Sequence, residues 1–164
     1  MKAVLFFLSA LIIGACTNST IEQSKNVELI NNYVSAVENM DYDAMESYLD
    51  DSYVGIGPSI NDSINKVQAV ESWKNNVENL YASIKYNRSR TIATVVPDGD
   101  NKGNWVSNWA ELTINYKSGK GPITIFANTV YKVENGKITK SHTFYNEADA
   151  LRQLGYVFLG PDEQ

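Results

Sequence analysis

His142 is the one histidine in this chain, and Cys16 the one cysteine. An imidazole has an ordinary pKa of about 6.5, so His142 is the side chain best suited to move a proton or orient a ligand near neutral pH. Residues 142, 144 and 146 share one face of a strand, so His142 and Asn146 are expected to look the same way. The Asn146 amide donates and accepts hydrogen bonds but takes no proton near neutral pH. Glu147, next along, points to the opposite face. Asp149 falls at the start of a closing helix, where its charge favours the N-terminus.

Trp109 is a candidate apolar wall, while Trp73 reads as core. Trp109 shares its face with Glu111, Thr113 and Asn115, and the other face carries Ala110, Leu112, Ile114 and Tyr116. Plain alternation buries the second set, and only a bulge would turn Trp109 and Leu112 both inward. The chain has no glycine-rich phosphate loop and no Ser–His–Asp set in a recognisable context, so no cofactor is expected. With one histidine and one cysteine, a metal site would depend on carboxylates, and no tight cluster of them occurs.

A single cysteine forms no disulfide within the chain. The segment before it has its own pattern. Met1-Lys2 is positively charged, residues 3–13 are almost wholly apolar, and Gly14-Ala15 are small. These are the parts of a secretory signal, and the run is too short for the roughly 20 apolar residues that a spanning helix needs. Ile13-Gly14-Ala15-Cys16 resembles the bacterial lipobox. That resemblance implies a signal peptide over 1–15 and an acylated Cys16; the polar residues 16–26 read as a tether, and 27–164 as the folded domain. The resemblance places the domain at the cell envelope, and Thr17 after the cysteine points to the outer membrane. The net charge of −5 gives no attraction for nucleic acid or anionic lipid, so contact with the membrane is expected through the lipid alone.

The remaining sequence orders helices before strands. Val27, Ile30, Val34 and Val37 recur at helical spacing. Asp41 can cap a short helix carrying Tyr42, Met45 and Leu49, and residues 53–58 read as a strand. Asn65-x-x-Gln68 reads as a capping box for a helix with the stripe Val67, Val70, Trp73, Val77 and Leu80. Four β-rich segments follow at 84–96, 104–116, 123–133 and 137–146. Asn135-Gly136 is a strong signal for a type I′ hairpin. Residues 147–154 return to helix, with Gly155 as its stop. This order argues for an α+β fold with helices on one face of an antiparallel sheet.

Three features resemble the SnoaL-like proteins of the nuclear-transport-factor-2-like superfamily. They are the helical pair ending in Met45-Glu46-Ser47-Tyr48-Leu49-Asp50-Asp51, Trp109 in a long strand, and Asn135-Gly136-Lys137-Ile138 followed by Ala150-Leu151-Arg152-Gln153-Leu154-Gly155-Tyr156. The resemblance implies a cone: a strongly bent antiparallel sheet wrapped around the N-terminal helices, with a pocket. In similar cyclases an aspartate base stands seven residues before the Gln of the Gln-Leu-Gly ending, and here that position is Asn146; the resemblance also implies a polar pocket residue at the place of Asn128, on the preceding strand.

Three readings stay open. One is a binding domain for a small, largely apolar molecule held by Trp109, Asn128, His142 and Asn146. Another is an acid–base enzyme of isomerase, cyclase or dehydratase type, with His142 as the catalytic candidate. The third is a dimeric interaction module whose sheet face binds another envelope protein.

Overall fold

The computed structural model describes the backbone of residues 3–160 and the side chains of residues 20–160. The side chains of the expected signal segment 1–15 and of Cys16 lie outside the described residues. The elements, in order, are α1 (Ala3–Glu38), α2 (Tyr42–Tyr48), β1 (Leu49–Ile56), β2 (Ser63–Asn65), α3 (Lys66–Asn75), β3 (Tyr81–Val96), β4 (Gly103–Tyr116), β5 (Ile123–Glu134), β6 (Lys137–Tyr145) and α4 (Glu147–Gln153).

Residues 20–26, expected to belong to a tether, are part of α1. Glu22 accepts a 2.9 Å hydrogen bond from Asn104 on β4, and Asn26 is buried. The apolar stripe then does what its spacing predicts: Ile30, Val34 and Val37 are buried in the core with Tyr33. Each such side chain contributes roughly 1.5–3 kcal/mol through burial. Asp41 caps α2 by accepting from the Ala44 N–H at 2.9 Å. At α3 the capping box is complete, with Asn65 accepting from the Gln68 N–H and Gln68 accepting from the Asn65 N–H, both at 3.0 Å.

The predicted stripe on α3 is only partly realised. Ala69 is buried and Trp73 packs on the core, but Val67 and Leu80 are exposed. The helix passes into a π turn over Asn76–Leu80. A π turn shifts the angular spacing, so Leu80 leaves the face that a regular helix would have given it.

Among the described residues six strands form one sheet in the order β2-β1-β6-β5-β4-β3. All neighbours are antiparallel except β1 and β6, which run parallel. The expected strongly bent cone is therefore corrected. The sheet is mixed and open, with β2 and β3 as its two edges, and it is neither strongly curled nor closed. The α+β class and the N-terminal helices hold, and α1 and α3 cover one face. That inner face carries Val106, Ala110, Leu112 and Ile114 of β4 and Ile123, Ile125, Tyr131 and Val133 of β5, all buried. The Asn135-Gly136 turn has φ of 53° and 73°, the pair of positive values a type I′ hairpin requires.

A candidate ligand cavity under the helices

A cavity of about 390 Å³ lies between the inner sheet face and the helices. Its walls combine Ile84, Leu112, Ile114, Ile123 and Ile125 from the strands with Val37, Ala69 and Trp73 from the helices. Tyrosine dominates the polar side: Tyr33, Tyr53, Tyr81, Tyr86, Tyr116, Tyr131 and Tyr145 all reach the lining. A tyrosine suits such a place because its ring is apolar and its hydroxyl donates or accepts one hydrogen bond.

Local structure places these rings. Tyr131 sits two residues before Val133, on the inward parity of β5. Tyr86 shares the inward parity of β3 with Ile84, ahead of the bulge between Asn87 and Arg90. Tyr53 reaches Ser141 on β6, with 2.7 Å between the hydroxyl oxygens. Gly55 makes this reach available, since a Cβ there would stand 2.7 Å from the Tyr53 hydroxyl. Asn108, only 2% exposed, lines the cavity and donates to Ser89 Oγ and Thr91 Oγ1 at 2.8 and 2.9 Å.

Burial raises the tyrosine pKa values. Tyr33, Tyr86 and Tyr131 lie well above the ordinary value of 10, and desolvation is the main cause in each. Tyr81 is pushed up to about 12 by desolvation and then by Tyr116 and Tyr145. All stay protonated near neutral pH, so they can donate a hydrogen bond to a ligand. The lining carboxylates, Asp62 and Glu147, are exposed and stand at the mouth.

None of the four residues expected to hold a ligand lines this cavity. Trp109 is 42% exposed on the outer sheet face. The β4–β5 register runs without a break from Asn104 to Ile114, so the bulge that could have turned Trp109 inward is absent from that pairing. Asn128 pairs with Trp109 and Phe144 across the same outer face and accepts from Ser107 Oγ at 2.9 Å.

His142 lies beside Trp105, ring centres 6.0 Å apart, also on the outer face. Desolvation, followed by the nearby charge of Lys140, lowers its pKa. Asn146 caps α4, its Oδ1 accepting from the Asp149 N–H at 3.0 Å. The structure thus brings Trp109 and Asn128 together, and leaves His142 and Asn146 apart from the cavity. For His142 the cause is a bulge in β6. Val133 pairs with Ile138 and Lys132 with Lys140, leaving Thr139 as an extra residue. Ile138 points inward and is fully buried. The extra residue flips the parity, so Ser141, Thr143 and Tyr145 face inward and His142 and Phe144 outward.

A family model for the SnoaL-like domain matches residues 27–134. No curated protein matches the chain. Solved structures similar to it include an epoxide hydrolase of Mycobacterium tuberculosis, at 14% identity and TM-score 0.58, covering 81% of this chain and 91% of that one. Another is a protein of ketosteroid isomerase-like fold from Catenulispora acidiphila, solved with trimethylamine, at 12% identity and TM-score 0.61, covering 79% and 94%. A third is a nuclear-transport-factor-2-like protein from Burkholderia xenovorans, at 15% identity and TM-score 0.58, covering 80% and 97%. At these identities the likeness is one of fold.

Proposed function

We propose, for a chain that belongs to the SnoaL-like domain family, that the cavity under α1 and α3 binds a small, largely apolar molecule without transforming it. The observation that carries this reading is the lining among the described residues: aliphatic and aromatic walls, with neutral polar groups inside (tyrosine hydroxyls, Asn108, Thr129, Ser141 and Thr143) and the carboxylates Asp62 and Glu147 at the mouth. A cavity of this size with a few placed polar groups has the character of a small-molecule site. A general base must lie within hydrogen-bond reach of the proton it takes. The titratable groups in the depth are tyrosines held protonated by burial, which donate rather than abstract. Asn146, in the place of the base in similar cyclases, is spent on capping α4.

On this reading the domain works at the cell envelope, held to a membrane by acyl chains on Cys16. The support is the sequence Ile13-Gly14-Ala15-Cys16 behind a short apolar run. Stable anchoring takes more than one chain, at about 0.8 kcal/mol per buried methylene.

Naphthol, a neutral aromatic with one hydroxyl, tests the binding reading by fluorescence titration. Ala127 is partly buried and lines the cavity, so Ala127→Phe fills it from the strand side. Binding to the parent and its loss in a folded Ala127→Phe variant are expected. Equal binding to both proteins would move the ligand elsewhere and sink the reading.

The outer sheet face favours a second reading, a homodimer. Ile92, Trp109, Phe126 and Phe144 are exposed there, Phe126 at 80%. Apolar side chains grouped on a strand face mark an interaction surface. Sedimentation of the parent as a dimer, and of Phe126→Lys as a monomer, is the expected pair of results; a monomeric parent contradicts it.

A further inference from the structure

The cavity mouth has a composition of its own. Tyr81, Tyr116 and Tyr145 come together there from β3, β4 and β6. The Tyr81 and Tyr116 rings meet edge to face, with centres 5.5 Å apart. Asp62, on the β1–β2 loop, and Glu147, at the start of α4, flank the group, and both carboxylates act on the Tyr145 hydroxyl to raise its pKa, after the larger effect of desolvation. The Asp62 carboxylate folds over Gly57, where a Cβ would stand 2.0 Å from Oδ2. A side chain at position 57 would therefore displace it.

Among the described residues, no lysine, arginine or histidine belongs to the lining. Of the lysines near these residues in sequence, Lys66 pairs with Asp51 at 2.8 Å, Lys117 donates to the Val77 and Glu78 carbonyls at 2.9 and 2.8 Å, and Lys120 lies over the Tyr156 ring. The mouth thus presents aromatic rings and two negative charges with no built-in counter-charge, on a chain of net charge −5.

We propose that the ligand of this cavity is a small organic cation, an alkylammonium whose charge rests among Tyr81, Tyr116 and Tyr145 between Asp62 and Glu147 while its apolar body enters the cavity. The inference rests on the binding reading above and names the ligand class. Ring faces attract a diffuse positive charge, and the attraction strengthens where the site excludes water. An alkylammonium fits better than a metal ion. Among the described residues no three acidic, histidine or cysteine side chains converge, whereas a hard cation wants about six or more oxygen ligands. It also fits better than an anion, which would meet two carboxylates and no cationic partner.

Choline and dimethylbutanol, in which carbon replaces the quaternary nitrogen, separate charge from shape. Calorimetric titration is expected to show choline binding at least about tenfold more tightly than the neutral isostere. The Asp62→Asn/Glu147→Gln double variant changes only exposed carboxylates, so the fold should persist. It should weaken choline severalfold and leave dimethylbutanol unchanged. Equal or tighter binding of dimethylbutanol, indifference of choline to the double variant, or no choline binding each overturns the inference. If dimethylbutanol or naphthol still binds and Ala127→Phe blocks it, the cavity reading stands and only the cation fails. If no probe responds to Ala127→Phe, both fail.

Discussion

The hydroxyl of Tyr53 lies 2.7 Å from Oγ of Ser141, and both side chains are buried. This contact ties β1 to β6 across their parallel pairing, directly beside the Gly55–Ser141 register position. Tyr53→Phe leaves the Ser141 hydroxyl without this partner and is expected to cost about 1–2 kcal/mol. Gly55→Ala drives a methyl into the Tyr53 ring and is expected to cost about 1–3 kcal/mol through overpacking. Urea unfolding measures both. Neutral results for the pair would mean that the contact is absent in solution.

Asn146 acts as a cap on α4 rather than as a cavity residue. Asn146→Ala should therefore lower stability by about 1 kcal/mol, while Asn146→Asp, also a good cap, should stay within about 0.5 kcal/mol of the parent. Neither change should alter naphthol binding, and nor should His142→Ala. A proton-abstraction activity appearing in Asn146→Asp would place that side chain at the cavity after all.

Stability should fall steeply at alkaline pH. Unfolded tyrosines lose their protons near pH 10. Tyr81 keeps its proton to about 12 in the fold, and Tyr33, Tyr86 and Tyr131 are raised as well. The unfolded chain then binds fewer protons than the native one, so stability is intact below about pH 10 and drops as pH rises. Each retained proton gives a slope of about 1.4 kcal/mol per pH unit. Denaturant melts with tyrosinate absorbance follow this directly. A flat profile through about pH 11 would argue that the rings are solvated.

Cys16→Ser should prevent acylation, so that the protein is either released or held as an unprocessed precursor. Membrane fractionation with mass measurement of the N-terminal peptide reads this. A Cys16→Ser protein that matures and sediments with membranes like the parent would contradict the anchor.

Much of the framework was legible from local chemistry. The Asn65–Gln68 capping box, the Asp41 cap and the Asn135-Gly136 turn are short-range patterns, each set by residues close together in the chain, and each forms as its spacing predicts. The site was less legible because strand faces depend on register. Alternation alone pointed Trp109 outward, and it does point outward. For His142, the bulge at Thr139 decides the face, and nothing in Lys137-Ile138-Thr139-Lys140 marks an extra residue. The sheet's openness depends on which strands meet across the chain, beyond the reach of periodicity. The tyrosine lining had a usable signal in strand parity: Tyr116 alternates with Ala110, Leu112 and Ile114, and Tyr131 with Ile123, Ile125 and Val133. Tyr53 needed the long-range partner Ser141 to be recognised, and Tyr48, close by in sequence, packs edge-on against Tyr33 instead.

Ligand entry between the helices and the inner sheet face is the central claim. Chemical-shift mapping during a naphthol titration tests it most directly. Saturable shifts are predicted at Tyr53, Gly55, Ala69, Ala127 and Ser141, with the side-chain signals of Trp109, Asn128, His142 and Phe144 unmoved. Shifts confined to those four outer-face residues would contradict it.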